Sequence, residues 1–149
     1  MLVFSTLEQF SSQLGTERRW LRTLEAINSP AAIKAGAAYS IGDSLTYRVT
    51  PACELVTASF VGRKRYHAVL YVIRGAVVVD VAKKTQLESN RTYSDLSDTE
   101  LFDGCGHRTK LNAGSIVIIE IDEAYRVLKG DGDVVCLHVT VEGKTFHNK

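Results

Sequence analysis

No apolar run in this chain approaches the roughly 20 residues that a membrane-spanning helix needs, the most continuous being Ser115–Ile119. Met1–Phe10 is too short, and too soon broken by Glu8, for the apolar segment of a secretory signal. Net charge is only +1, with both signs interspersed, which leaves no electrostatic case for nucleic acid or an anionic membrane. Cysteine is scarce. Cys53, Cys105 and Cys136 are odd in number and lack CxxC spacing, which excludes a disulfide frame or zinc knuckle and points to reduced thiols in a cytoplasmic protein. There is no internal repeat, low-complexity tract or interdomain linker. The expectation is one domain over residues 1–149, long enough to bury roughly two thirds of its unfolded-chain surface.

What is present begins helical. Ser5-Thr6-Leu7-Glu8 has capping-box spacing, and Leu7, Phe10 and Leu14 follow at helical intervals up to Gly15. Thr16 can cap a second helix in which Trp20, Leu21, Leu24 and Ile27 form an apolar stripe, ended by Asn28-Ser29-Pro30. Ala31–Ala35 reads as a short third turn, so the helical segment spans 5–35 and a β core 36–149.

From Gly36 the period changes to two. In Ser44–Val49, Leu45, Tyr47 and Val49 face one way and Ser44, Thr46 and Arg48 the other. Cys53–Phe60 reads as a further strand after the break at Pro51, and Gly62–Gly75 frames another, with Ala76–Val81 as its hairpin partner. Lys83–Gly106, polar and acidic, reads as a partly ordered excursion at a sheet edge, its acids a solvated face. A last strand covers Val134–Val141. Short strands after a helical start predict an antiparallel sandwich or barrel.

Gly114–Leu128, GSIVIIEIDEAYRVL, is the stretch around which the rest is arranged. Its apolar, β-branched run suits a buried strand, and Glu120, Asp122 and Glu123 at its far end suit the mouth of a ligand pocket. Glu120 and Asp122 invite a glycoside-hydrolase reading, which needs paired carboxylates; a solvated strand end, or acids partnered by Arg48 and Arg126, is the simpler one. By strand parity Ala68 and Leu70 share one face of their strand and His67 takes the other, as a surface or interface histidine. His138 shares a face with Val134, Cys136 and Thr140, as a core or pocket-lining residue. His107 and His147 have no partner at ligand spacing, and Cys105, between glycines, reads as structural.

Ser40-Ile-Gly-Asp-Ser-Leu-Thr-Tyr-Arg-Val49, Gly104-Cys-Gly106, Glu123-Ala-Tyr-Arg126 and the closing Phe146-His-Asn-Lys149 resemble the YhcH-type family of small cupin-like proteins, which includes accessory β subunits of β-galactosidases. The resemblance runs nearly end to end. It implies an all-β, cupin-like double-stranded β-helix (a jelly roll) with N-terminal helices, and an accessory role beside a large glycosidase chain. It also implies, as alternatives, a small-sugar anomerase or isomerase, or a stand-alone sugar-binding module. Related members carry a divalent metal. The positions here that align with their ligands are Arg63, Ala68, Leu70 and Asp122, of which only Asp122 could ligate, so no metal or other cofactor is expected. A family lysine in the last strand is replaced by His138. Candidates for a sugar pocket or partner contact are Arg48, Tyr66, Glu123, Tyr125, Arg126 and His138. The implied partners are the glycosidase chain, a galactoside or related sugar, and further copies in a homo-oligomer.

Overall fold

A computed structural model describes residues 1–14, 38–41, 45–94, 96 and 98–140. The expected helices over 16–35 with Trp20, and the closing residues with His147, lie outside the described residues. The elements in chain order are β1 (Leu2–Phe4), α1 (Leu7–Leu14), β2 (Ala38–Ile41), β3 (Leu45–Pro51), β4 (Phe60–Gly62), β5 (Tyr66–Val72) and β6 (Ala76–Lys83). They continue with β7 (Glu88–Ser94), β8 (Thr99–Asp103), β9 (His107–Asn112), β10 (Ile116–Ile119), β11 (Glu123–Asp131) and β12 (Asp133–Thr140).

Two six-stranded antiparallel sheets form, one ordered β1-β10-β5-β12-β3-β2 and the other β7-β8-β4-β11-β6-β9. Setting aside the outlying strands, β3-β12-β5-β10 lies in the first sheet and β4-β11-β6-β9 in the second, and the chain crosses between them at each step except β6 to β9. That order is a jelly roll, two Greek keys wound into a two-sheet sandwich. The all-β class follows as expected from the two-residue periodicity.

β10 explains the continuous apolar run. All four of its residues are buried because the first sheet is covered on both faces. Ile116 and Ile118 pack outward with Phe4, Phe10, Val49, Leu137 and Val139, whereas Val117 and Ile119 pack inward with Leu70, Val72, Val77 and Val127. Helix α1 seals the outer face through Phe10, whose ring meets Phe4 edge-on at 5.7 Å. The capping box is offset by one residue from the sequence expectation. Gln9 donates its N–H to Thr6 Oγ1 (3.2 Å), and its side-chain oxygen accepts from the Ser5 N–H (2.9 Å).

Three strand expectations are corrected. First, β6 is not the hairpin partner of β5; it pairs with β11 and β9 in the opposite sheet. Gly75, at φ +81°, turns the chain across, alongside Gly132 (φ +77°) at the β11–β12 crossing. The two crossings bond to each other through Ile73 N–H to Asp133 O (2.9 Å) and Asp133 N–H to Arg74 O (3.2 Å), and Arg74 and Asp133 form an ion pair. Second, residues 53–60 are not a strand. Pro51 leads into a 3-10 turn at Ala52–Leu55, fixed by Ala52 N–H to Gly132 O (2.9 Å), and pairing resumes only at Phe60. Third, β7 and β8 form an ordered hairpin that extends the second sheet beside β4. β7 is mostly exposed, as suits an edge strand, which is why its sequence carries so little hydrophobic signal.

Candidate functional site

Between the sheets the interior divides. Valine, leucine and isoleucine fill the side nearer β6, β9 and β10. On the other side a cavity of about 370 Å³ remains open. Its walls follow from register. Arg48 on β3 is paired with Cys136 on β12, and Cys136 with Leu70 on β5, so these side chains share the inner face; His138 and Ala68 form the next such pair. Across the gap, Tyr125 on β11 pairs with Val61 on β4, with Val127 two residues further along β11. The third wall is the turn after Pro51, with Glu54, Leu55 and Thr57, and Arg63 enters from the β4–β5 loop.

That loop is held from several sides. Asp98, buried in the β7–β8 turn, accepts the backbone N–H groups of Lys64 (3.1 Å) and Arg65 (3.2 Å) and the Tyr93 hydroxyl (2.5 Å). Lys84 Nζ donates to the Arg63 carbonyl (2.8 Å) while paired with Glu100 (2.7 Å). The expectation that the acids of 83–106 form a solvated face therefore fails at Asp98 and Glu100. A carboxylate can organise a loop by accepting several N–H groups, and burial strengthens each bond.

The cavity is lined by two arginines, one carboxylate and otherwise neutral groups. Burial, then the field of Arg63, pushes His138 down to about 4, so the imidazole is uncharged at neutral pH. Burial pushes the Tyr125 phenol up to about 12 and the Cys136 thiol up to about 11, the latter opposed by Arg48. Among the described lining residues Glu54 is the one carboxylate. The described cysteines are free thiols, Cys53 and Cys105 exposed and Cys136 on the cavity wall.

Of the six residues proposed from sequence, Arg48, Tyr125 and His138 meet in this cavity. Tyr66 and Glu123 line an adjoining crevice of about 10 Å³, room for about one water. The Tyr66 ring lies 6.3 Å from that of His138. Glu123 is buried and engaged by the Met1 amino group (2.6 Å) and the Glu120 N–H (3.0 Å). The pocket thus sits farther along β11 than the end of β10.

Arg126 points the other way, out of the second sheet. There it bonds buried Asp80 (3.1 Å) and the Ala58 carbonyl (2.9 Å), over the face of Phe60. It does not partner Glu120 or Asp122. Those two acids lie at a turn and not along a strand: Asp122 pairs with Lys83 (2.7 Å), and Glu120 lies 3.9 Å from His67. His67 does face away from the cavity, but it is buried and not at the surface, because the outer face of its sheet is itself covered.

Of the four positions that the sequence resemblance sets against metal ligands, Arg63 and Ala68 border the cavity and its crevice, Leu70 is core, and Asp122 is exposed and paired with Lys83. Among the described residues no three His, Cys, Asp or Glu side chains cluster as a metal site would require. Sequence reading missed Glu54, Leu55 and Thr57, whose only signal was the break at Pro51, and gave Arg63 no role in a pocket.

Strand order and cavity together define a cupin-like jelly roll with a small pocket between its sheets. No family model matches the chain. Among solved structures it is similar to a cupin protein from Bacteroides fragilis, at TM-score 0.40 and 13% identity over 68% of this chain and 69% of that one. Among the described residues, no helix is long and apolar enough to cross a membrane.

Proposed function

We propose that this chain is a non-catalytic, sugar-binding accessory subunit that associates with a large β-galactosidase-type glycoside hydrolase and supports its activity. The observation that carries the sugar-binding half is the cavity, where Arg48, Tyr125 and His138 converge from three strands over an apolar floor of Leu55, Val61 and Val127. Ligand sites are concave, largely apolar and furnished with a few convergent polar groups. A single carboxylate among the described lining residues favours binding over hydrolysis, which takes a pair. The accessory half rests on the resemblance to the β subunit of the evolved β-galactosidase. Two of the stretches that carry it, SIGDSLTYRV and EAYR, supply Arg48 and Tyr125 to opposite walls of one cavity.

The test is co-elution of the chain with a large glycosidase from the same source, and partner activity titrated with added chain. The expected result is a saturable rise in partner activity with negligible aryl-galactoside hydrolysis by the chain alone. A partner fully active without the chain would overturn the accessory half. If the chain alone accelerated galactose mutarotation, and His138→Gln abolished it, an anomerase would take its place.

A further inference from the structure

We infer that the cavity takes a small anionic carbohydrate, its carboxylate or phosphate seated at the guanidiniums of Arg48 and Arg63. The inference rests on the sugar-binding reading above and names the ligand's charge. Arg48 and Arg63 reach the same cavity from different segments, the first from β3 and the second from the β4–β5 loop. Among the described residues neither is in an ion pair. Arg63 Nε is buried with no hydrogen-bond partner, and its Nη1 makes only a long contact to the Asp98 carbonyl (3.4 Å).

A buried guanidinium donor without an acceptor is costly, and the carboxylate of Asp98, whose carbonyl it meets, is already occupied by backbone N–H groups and Tyr93. Glu54, on the cavity wall, is exposed to solvent. Two cations over one exposed acid leave a positive site, and the planar guanidinium fork matches carboxylate and phosphate oxygens. His138, Tyr125 and Thr57 supply donors and acceptors for hydroxyl groups, and the cavity's 370 Å³ is near the small end of ligand sites, suited to one sugar ring.

The experiment is calorimetric titration of the full chain with galactose, galacturonate, galactose 6-phosphate and inorganic phosphate, at low and raised salt. Galacturonate or galactose 6-phosphate should bind at least ten-fold more tightly than galactose, with a preference that shrinks at raised salt. Which of the two is tighter identifies the carboxylate or the phosphate. Arg48→Gln and Arg63→Gln should each remove most of that preference. Arg63→Lys keeps the charge without the fork and should retain part of it. Thermal melting of each variant reports whether it folds, and the Lys variant serves if the Gln variant does not.

Equal affinity for galactose and its anions, or a preference untouched by both arginine substitutions, would overturn the inference and leave the sugar-binding reading standing. Inorganic phosphate binding as well as the sugar anions, or no sugar binding at all, would overturn that reading and the inference with it.

Discussion

At the scale of single residues, His138 makes the chain acid-sensitive. Its folded pKa is depressed from 6.5 to about 4, chiefly by burial. The stability it contributes is therefore complete above pH 6.5, where both states are neutral, and is lost as pH falls toward 4 because only the unfolded chain takes up the proton. Between pH 7 and 5 the loss should be on the order of 1–2 kcal/mol. His138→Gln should reduce that loss, as read from urea midpoints at the two pH values. Arg126 makes a second case. Asp80 is buried, and its Oδ1 already lacks a hydrogen-bond partner. Arg126→Ala would strand the charge and should cost about 3–5 kcal/mol, whereas combining Arg126→Met with Asp80→Ala should recover much of it. Sugar binding by the folded double variant should be unchanged, since Arg126 faces away from the cavity. Urea midpoints and titration calorimetry read the two halves of this prediction.

At the scale of elements, the β7–β8 hairpin positions a loop it does not contain. Asp98 holds the Lys64 and Arg65 N–H groups, sits at φ +52° and is flanked by Arg65 Nε at 3.7 Å. Asp98→Ala removes the acceptor and places alanine in the left-handed region, so a loss of about 2–4 kcal/mol is expected, with Asp98→Asn milder. Because Arg63 leads this loop, the Ala variant should also weaken ligand binding more than it changes the secondary-structure signal, a split that calorimetry and circular dichroism resolve. The paired crossings are the other vulnerable element. A Cβ on Gly132 would lie 2.0 Å from the Arg74 carbonyl oxygen, in a conformation that already disfavours side chains. Gly132→Ala should therefore lower the melting temperature markedly, since neither crossing can move without the other.

For the molecule as a whole, the last strand closes the first sheet. β12 lies between β3 and β5, and Val134, Val135, Leu137 and Val139 on it are all essentially inaccessible. A chain ending after Gly132 would take one partner from each neighbour, split the first sheet between β5 and β3 and open the sandwich, so it should show no cooperative urea transition. Refolding of the full chain should be slow for its size, in the range of milliseconds to seconds, because partners such as β3 and β12 are far apart in sequence. Stopped-flow fluorescence checks this.

Some of this was legible in the sequence. Two-residue alternation is a local property of the pleat, and it placed Ala68 and Leu70 opposite His67 and grouped His138 with Cys136. Helical spacing marked α1, although its cap shifted by one because Thr6 and Gln9 offer the same pair of side-chain types as Ser5 and Glu8, one residue further on. Alternation cannot say which of two faces looks into the sandwich when both are covered, as on β10, nor that the face carrying His67 is buried as well. Nor does it say which sheet a strand joins. β6 crosses at Gly75 because burying its valines against β11 and β9 outweighs the short route back to β5. That same long-range pairing turned Arg126 toward Asp80, moved the pocket away from Glu123, and brought Arg63 to Arg48 across nothing the chain records locally. Pattern determined the faces; burial of distant strands against one another decided which of them enclose the site.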